Sequence, residues 1–175
     1  MKEELLKHSG VQSIQDIVSD AGGELVGRTR LQKIGYLLTI SGFDETFDFE
    51  YKHYGPFSRK LANSIDFAKF ASALSEETKA TAWGGTYSIF SSEGRPDHKA
   101  SAVRLRLIDI ASKSESVLLE LAATAAFLKA EYSDPWKETI RRKPKKATPT
   151  RVAAAKNLYS QLYRLDTPQK LPQLS

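Results

Sequence analysis

Apolar residues recur at helical spacing in several stretches of the chain and alternate with polar ones in others. Residues 2–8 (KEELLKH) read as a short helix ended at Ser9-Gly10. Ile14, Ile17, Val18 and Ala21 form a stripe behind a Ser13 cap, with Gly22-Gly23 as the stop. A wider stripe of Leu31, Ile34, Gly35 and Leu38, with Leu37 and Ile40 beside it, predicts a helix from about Arg30 to Ser41, capped by Thr29. Gly35 inside that helix costs roughly 1 kcal/mol against Ala, which fits a close approach by another element. Phe47 to Tyr51 alternates apolar and acidic side chains and reads as a half-buried strand. Pro56 disfavours the helical region at Gly55, so Tyr54-Gly55-Pro56-Phe57 reads as a turn. Ser58 then caps a helix to about Ala73, with Leu61, Ile65, Ala68, Phe67 and Phe70 toward the core.

Thr78–Trp83 and Thr86–Ser91 flank Gly84-Gly85, the pattern of a hairpin. After a polar loop, Val103, Leu105 and Leu107 alternate with Arg104 and Arg106, which favours a strand over 103–110. Ser116 to Glu131 is apolar nearly all round, the mark of a central helix packed on several sides. Asp134-Pro135 starts a short helix, Arg141–Lys146 (RRKPKK) reads as a basic loop, and a last helix begins at Thr150. The expected fold is mainly α (α+β): one domain over 1–175, with a winged-helix-like part over 13–91, a helical extension over 103–165 and a flexible tail over 166–175. The helix from Ser58 takes the recognition position of a winged helix.

Charge changes this picture. The 175-residue chain carries a net +5, but residues 136–175 hold 10 Lys/Arg against 2 Asp/Glu, so the rest is slightly acidic. A basic segment attracts polyanions, or is a solvated face. There is no cysteine, which excludes disulfides, thiolate metal sites and thiol nucleophiles and fits a reducing cytoplasm. No apolar run approaches the length of a membrane span, and the charged N-terminus does not read as a signal peptide, so no membrane partner is expected.

Candidate chemistry is sparse. His8, His53 and His98 share no helical spacing, and no nucleotide-binding, metalloprotease or nucleophile-elbow motif occurs. Neither an enzyme, a cofactor nor a metal is expected. For nucleic acid, Ser58, Arg59, Lys60 and Asn63 start the candidate recognition helix, and Arg141, Arg142, Lys143, Lys145 and Lys146 offer phosphate contacts. Against this, Asp66 lies on the same helix and the preceding strand is acidic. For a protein or anionic partner, the candidates are Arg28, Lys33, Tyr54, Ser58 and Arg59. Their structural alternatives are an ion pair between Arg28 and a carboxylate such as Glu50, and a Lys33 stem laid over apolar surface.

Gly27-Arg28-Thr29-Arg30-Leu31-Gln32-Lys33, Tyr36-Leu37-Leu38, Phe49-Glu50-Tyr51 and Tyr54-Gly55-Pro56-Phe57-Ser58 together resemble the YwgA-like bacterial proteins. The LQK and YGP elements are also similar to the wider SocA-like antitoxin (Panacea) group. Weaker similarities follow at Leu119–Thr124, Lys143-Pro144 and 155–162. The resemblance implies a cytoplasmic, mostly helical, non-enzymatic binding protein: an adaptor, or an antitoxin-like component of a toxin or phage-defence system. It also marks Arg28, Gln32 and Lys33 on one helix, and Tyr54, Gly55, Pro56 and Ser58 at the turn. The segment 92–114 departs from the group's pattern. The alternative function is a winged-helix DNA-binding regulator, and the partners implied are a protein, DNA, or a second copy of the chain.

Overall fold

The computed structural model describes residues 10–92 and 99–174. Its order is α1 (Val11–Asp20), β1 (Glu24–Val26), α2 (Arg28–Ile40), β2 (Glu50–Lys52), β3 (Gly55–Phe57), α3 (Arg59–Phe70), β4 (Ser75–Ala80), β5 (Thr86–Ser91), α4 (Ala102–Lys113), α5 (Ser116–Leu128), α6 (Pro135–Arg142) and α7 (Pro149–Tyr163). This is an α+β fold with two small antiparallel sheets, β1-β5-β4 and β2-β3. Among the described residues no helix is long and apolar enough to cross a membrane.

The apolar helix α5 is the centre, packing on α2, α6, α7 and β3. Leu119, Leu121, Ala122, Ala123 and Ala125 are wholly buried, and the small side chains of the three alanines let neighbouring helices approach closely. Gly35 on α2 serves the same end. A Cβ there would stand 2.5 Å from the Leu61 side chain of α3 and 3.5 Å from Phe49. Several helix starts follow their residue chemistry. Ser58, Ser101, Asp134 and Thr148 each accept a hydrogen bond from the backbone N–H three residues on, and Pro135 and Pro149 occupy the first helical position.

The structure corrects several expectations. Val103–Ile110 is not a strand but the body of α4. The alternation of Val and Leu with Arg misled because Arg104 belongs to the buried face, with Leu107, Ile108 and Ala111, where its guanidinium meets Asp20 at 2.8 Å. Gly55-Pro56-Phe57 is strand β3 rather than a turn. It pairs with β2 in the register Lys52↔Gly55, so the reversal falls at His53-Tyr54. The strand expected over Phe47–Tyr51 is confined to Glu50–Lys52, while Phe47 is core outside it. Leu25-Val26, read as a link, is part of β1 and pairs with Phe90 and Ile89 of β5. Gly10 and Gly27, not Ser13 and Thr29, cap α1 and α2; both have positive φ, and the Ser13 hydroxyl instead donates to Asp44. Phe67 and Phe70 face outward, because the inward stripe of α3 is Leu61, Ser64, Ile65 and Ala68.

The segment after α7, expected to be flexible, is packed through residue 174. Leu171 and Leu174 are buried, the Tyr159 hydroxyl donates to the Pro172 carbonyl, and Gln169 N–H donates to the Ser41 carbonyl. Its alternating prolines and polar residues concealed two core leucines. The expected helix over 2–8, together with His8 and His98, lies outside the described residues.

Candidate functional site

Helix α2 and strand β3 meet in a group of buried polar contacts. The Gln32 side-chain amide lies against the backbone of Ser58. Its Oε1 accepts from Ser58 N–H at 2.8 Å, and its Nε2 donates to Ser58 C=O at 2.9 Å. One residue on, Lys33 is 1% exposed and donates from Nζ to the Pro56 carbonyl at 2.8 Å. Its stem does not lie over a surface; the whole side chain is inside. Burial pushes its ammonium down to about 8, the Glu120 carboxylate acting the other way and Lys143 and Lys146 adding to the depression. Ser58 itself is fully buried and spends its Oγ on capping α3 through Leu61 N–H. Two of the candidate site residues, Lys33 and Ser58, therefore lie inside the fold.

Arg28 is engaged as well, with Glu76 of β4 rather than Glu50. Its Nε and second terminal nitrogen reach the two carboxylate oxygens at 2.9 and 2.8 Å. Glu76 also accepts from Lys69 at 2.5 Å and from the Ser88 hydroxyl at 2.6 Å. The Arg28 bonds hold the Glu76 carboxyl down to about 2, burial opposing them and the Lys69 and Ser88 bonds adding to the effect. The network ties the start of α2, the end of α3 and the hairpin into one body.

The basic segment 141–146 is not a loop of free charges. Arg141 and Arg142 end α6 and both bond Glu138, at 2.7–2.9 Å. Lys143 is buried and bonds Glu120 at 2.7 Å and the His53 carbonyl at 3.0 Å. Lys146 reaches both Glu120 oxygens, at 3.0 and 2.8 Å, and lies over the Tyr54 ring at 4.6 Å. Lys145 alone of the five is exposed and outside these pairs. Sequence reasoning missed Glu120 and Glu138 because it read these cations as phosphate contacts or as a solvated face. The only sequence signal was Glu120 itself, a carboxylate inside an otherwise apolar helix.

What stays open is the outward face of α3. Arg59, Lys60, Asn63, Asp66, Phe67 and Phe70 are exposed, Phe67 by 56% and Phe70 by 91%. Arg59, Asn63, Phe67 and Phe70 fall on one helical stripe. No salt bridge engages Arg59 or Lys60 among the described residues. Tyr54 is 58% exposed, on the turn between β2 and β3. Among the described residues no group of three or more His, Asp or Glu gathers in a way that would hold a metal ion. No protein-family model matches the chain, and no curated protein matches it.

Proposed function

We propose that this chain is a protein-binding module of the adaptor or antitoxin kind that its LQK and YGPF elements resemble, and that its partner seats on the outward face of α3. The observation that carries this reading is the stripe Arg59, Asn63, Phe67, Phe70. It sets two exposed aromatic rings beside an arginine and an amide on one helix, and aromatic residues and Arg are enriched at interfaces. The charge supports an acidic rim on the partner. Arg59 and Lys60 sit in the first turn of α3, where the helix dipole already repels cations, and that turn holds no acidic residue. A carboxylate-bearing surface would relieve both. Comparing capture by the tagged wild-type chain with capture by Arg59→Glu/Phe67→Ser tests the reading. A protein retained by the first and lost by the second is the expected result; identical captures overturn it.

A DNA-binding regulator is the second reading. The order helix, strand, helix, the β2-β3 pair, helix, hairpin, with the first strand joined to the hairpin as β1-β5-β4, supports a winged-helix-like arrangement with an inserted β2-β3 pair, in which α3 is the recognition helix. Asp66 on the same face, and the pairing of Arg141, Arg142, Lys143 and Lys146 with carboxylates, leave few cations for phosphate. Gel shifts on duplex DNA at about 50 mM salt decide it: binding lost in Arg59→Ala and Lys60→Ala favours the regulator, and no binding removes it.

A further inference from the structure

The free edge of the β1-β5-β4 sheet carries a pattern of main-chain and side-chain groups that is complementary to itself. Thr81 N–H donates to the Gly85 carbonyl at 2.8 Å at the hairpin end, so the alternation of an antiparallel ladder gives residues 79, 77 and 75 of β4 their bonds to β5. The other side of β5 agrees: Gly27 N–H bonds Ser88 C=O, and Ser92 N–H bonds Gly23 C=O, so residues 88 and 92 of that chain segment face β1. Glu76, Thr78 and Ala80 therefore point their N–H and C=O groups away from the sheet. Among the described residues the outer edge of β4 runs for six residues, against three for that of β1.

We propose that β4 pairs antiparallel with β4 of a second copy about a two-fold axis at Thr78. The symmetry is isologous, so each contact occurs twice. Thr78 faces the partner's Thr78, and Glu76 faces the partner's Ala80, with three narrow pairs exchanging six main-chain hydrogen bonds. On one face of the new sheet Glu77 lies directly opposite the partner's Lys79, and Lys79 opposite the partner's Glu77. Opposite charges at such positions stabilise the pairing, and like charges oppose it. The other two-fold registers that use outward residues lack this match. Centring on Glu76 sets two carboxylates face to face, and centring on Ala80 places Glu77 against tryptophan. Edge charges usually oppose pairing; here they favour the Thr78-centred register, the one in which opposite charges meet.

Trp83 supplies a second, independent observation. It is 95% exposed at the hairpin tip, far beyond what a tight turn requires. Extending the Thr78-centred register brings position 83 of one copy level with position 73 of the other. Ala73 lines an open cleft of about 460 Å³ together with Lys69, Ser72, Leu74 and Ser75. The pairing therefore turns each hairpin tip, with its exposed indole, toward the end of β4 at which the other copy's cleft opens. The paired edge lies on β4 and the Arg59–Asn63–Phe67–Phe70 stripe on α3, so variants at Glu77, Thr78 and Lys79 test the dimer without altering that stripe.

The interface is small, so the dimer is expected to form with concentration, which sedimentation velocity of the full chain from about 1 to 300 μM would follow. The mass should rise from 19.5 kDa toward twice that value. Thr78→Pro removes an outward N–H without touching the β4–β5 ladder and should hold the chain monomeric. Glu77→Lys and Lys79→Glu should each do the same through like-charge contacts, and the double variant Glu77→Lys/Lys79→Glu should regain the dimer. Both charge positions are solvent-exposed, so these variants read the interface even where Thr78→Pro does not fold. A wild-type chain that stays monomeric overturns the proposal, as does a dimer indifferent to Thr78→Pro and to the charge variants. Loss in Thr78→Pro with no response to the charge variants overturns the Thr78 register.

Discussion

Gln32 holds Ser58 by both of its backbone groups, one amide closing an N–H and a C=O at 2.8 and 2.9 Å across 26 residues of sequence. The contact fixes where β3 ends and where α3 begins, and so sets the direction of the open helix face. Lys33 adds a third bond to the same segment through Pro56. The LQK and YGPF elements are thus two halves of one clamp.

Replacing Gln32 by Leu keeps the volume and leaves the Ser58 N–H buried without a partner, while the Ser58 carbonyl keeps its bond from Ala62 N–H at 3.1 Å. An orphaned buried group costs about 1–3 kcal/mol, so a loss of about 2 kcal/mol is expected. Urea unfolding should show a lower midpoint at unchanged slope. A loss under about 0.5 kcal/mol would mean that the backbone finds other partners and the clamp does not position α3.

The buried ammonium of Lys33 makes stability depend on pH. Its folded value of about 8 lies below the ordinary 10.5, so between these the unfolded chain keeps a proton that the folded chain has shed. Stability therefore rises with pH from about 8 and is flat below it. The phenols of Tyr36 and Tyr159 are raised by burial, so their contribution is full below pH 10 and is lost above it. The net expectation is a gain of about 2 kcal/mol from pH 8 to 10, then a decline. Lys33→Met should abolish the rise in denaturant titrations at pH 7.5, 8.5 and 9.5. A variant that keeps the wild-type slope would show that another group carries it.

Gly55 is constrained twice. Its φ of +88° belongs to the region that only glycine enters freely, and a Cβ there would collide with the Thr124 hydroxyl of α5. Among the described residues that hydroxyl has no hydrogen-bond partner, so it can be removed without orphaning a second group. Gly55→Ala should cost more than about 2 kcal/mol, combining strain and overpacking. Adding Thr124→Ala should return about 1 kcal/mol of this, the steric part, and leave the strain. Strict additivity of the two substitutions in thermal unfolding would refute the contact.

Much of this fold was legible in the residues. The central role of α5 follows from its apolar circumference, the caps at Ser58 and Asp134 follow from hydroxyl and carboxylate chemistry, and Gly35 signalled a close approach that proved to be Leu61. What was hidden depended on long-range partners. Arg104 looked like the polar half of a strand because Asp20, 84 residues away, does not appear in a local window. The basic segment looked free because Glu120 sits inside an apolar helix. The candidate set divided for the same reason: Lys33 and Ser58 went to the interior, Arg28 to Glu76, and Arg59 alone joined the open face with Phe67 and Phe70. Those two rings had been assigned to the core on hydrophobicity, which does not say which side of a helix its neighbours will cover.

Glu120 is the residue on which the basic segment rests. It is 3% exposed and answers the buried Lys143 and the half-buried Lys146 together. Removing one partner of a buried pair leaves an uncompensated charge, which costs about 3–5 kcal/mol. Glu120→Ala should therefore unfold at clearly lower denaturant. Glu120→Leu/Lys143→Met replaces the buried pair by apolar groups and should recover most of the loss, because Lys146 can turn to water. Recovery in the double variant separates a lone buried charge from a packing defect. If the double variant is as unstable as Glu120→Ala, shape rather than charge governs the site, and the account of why these lysines are withheld from partners fails.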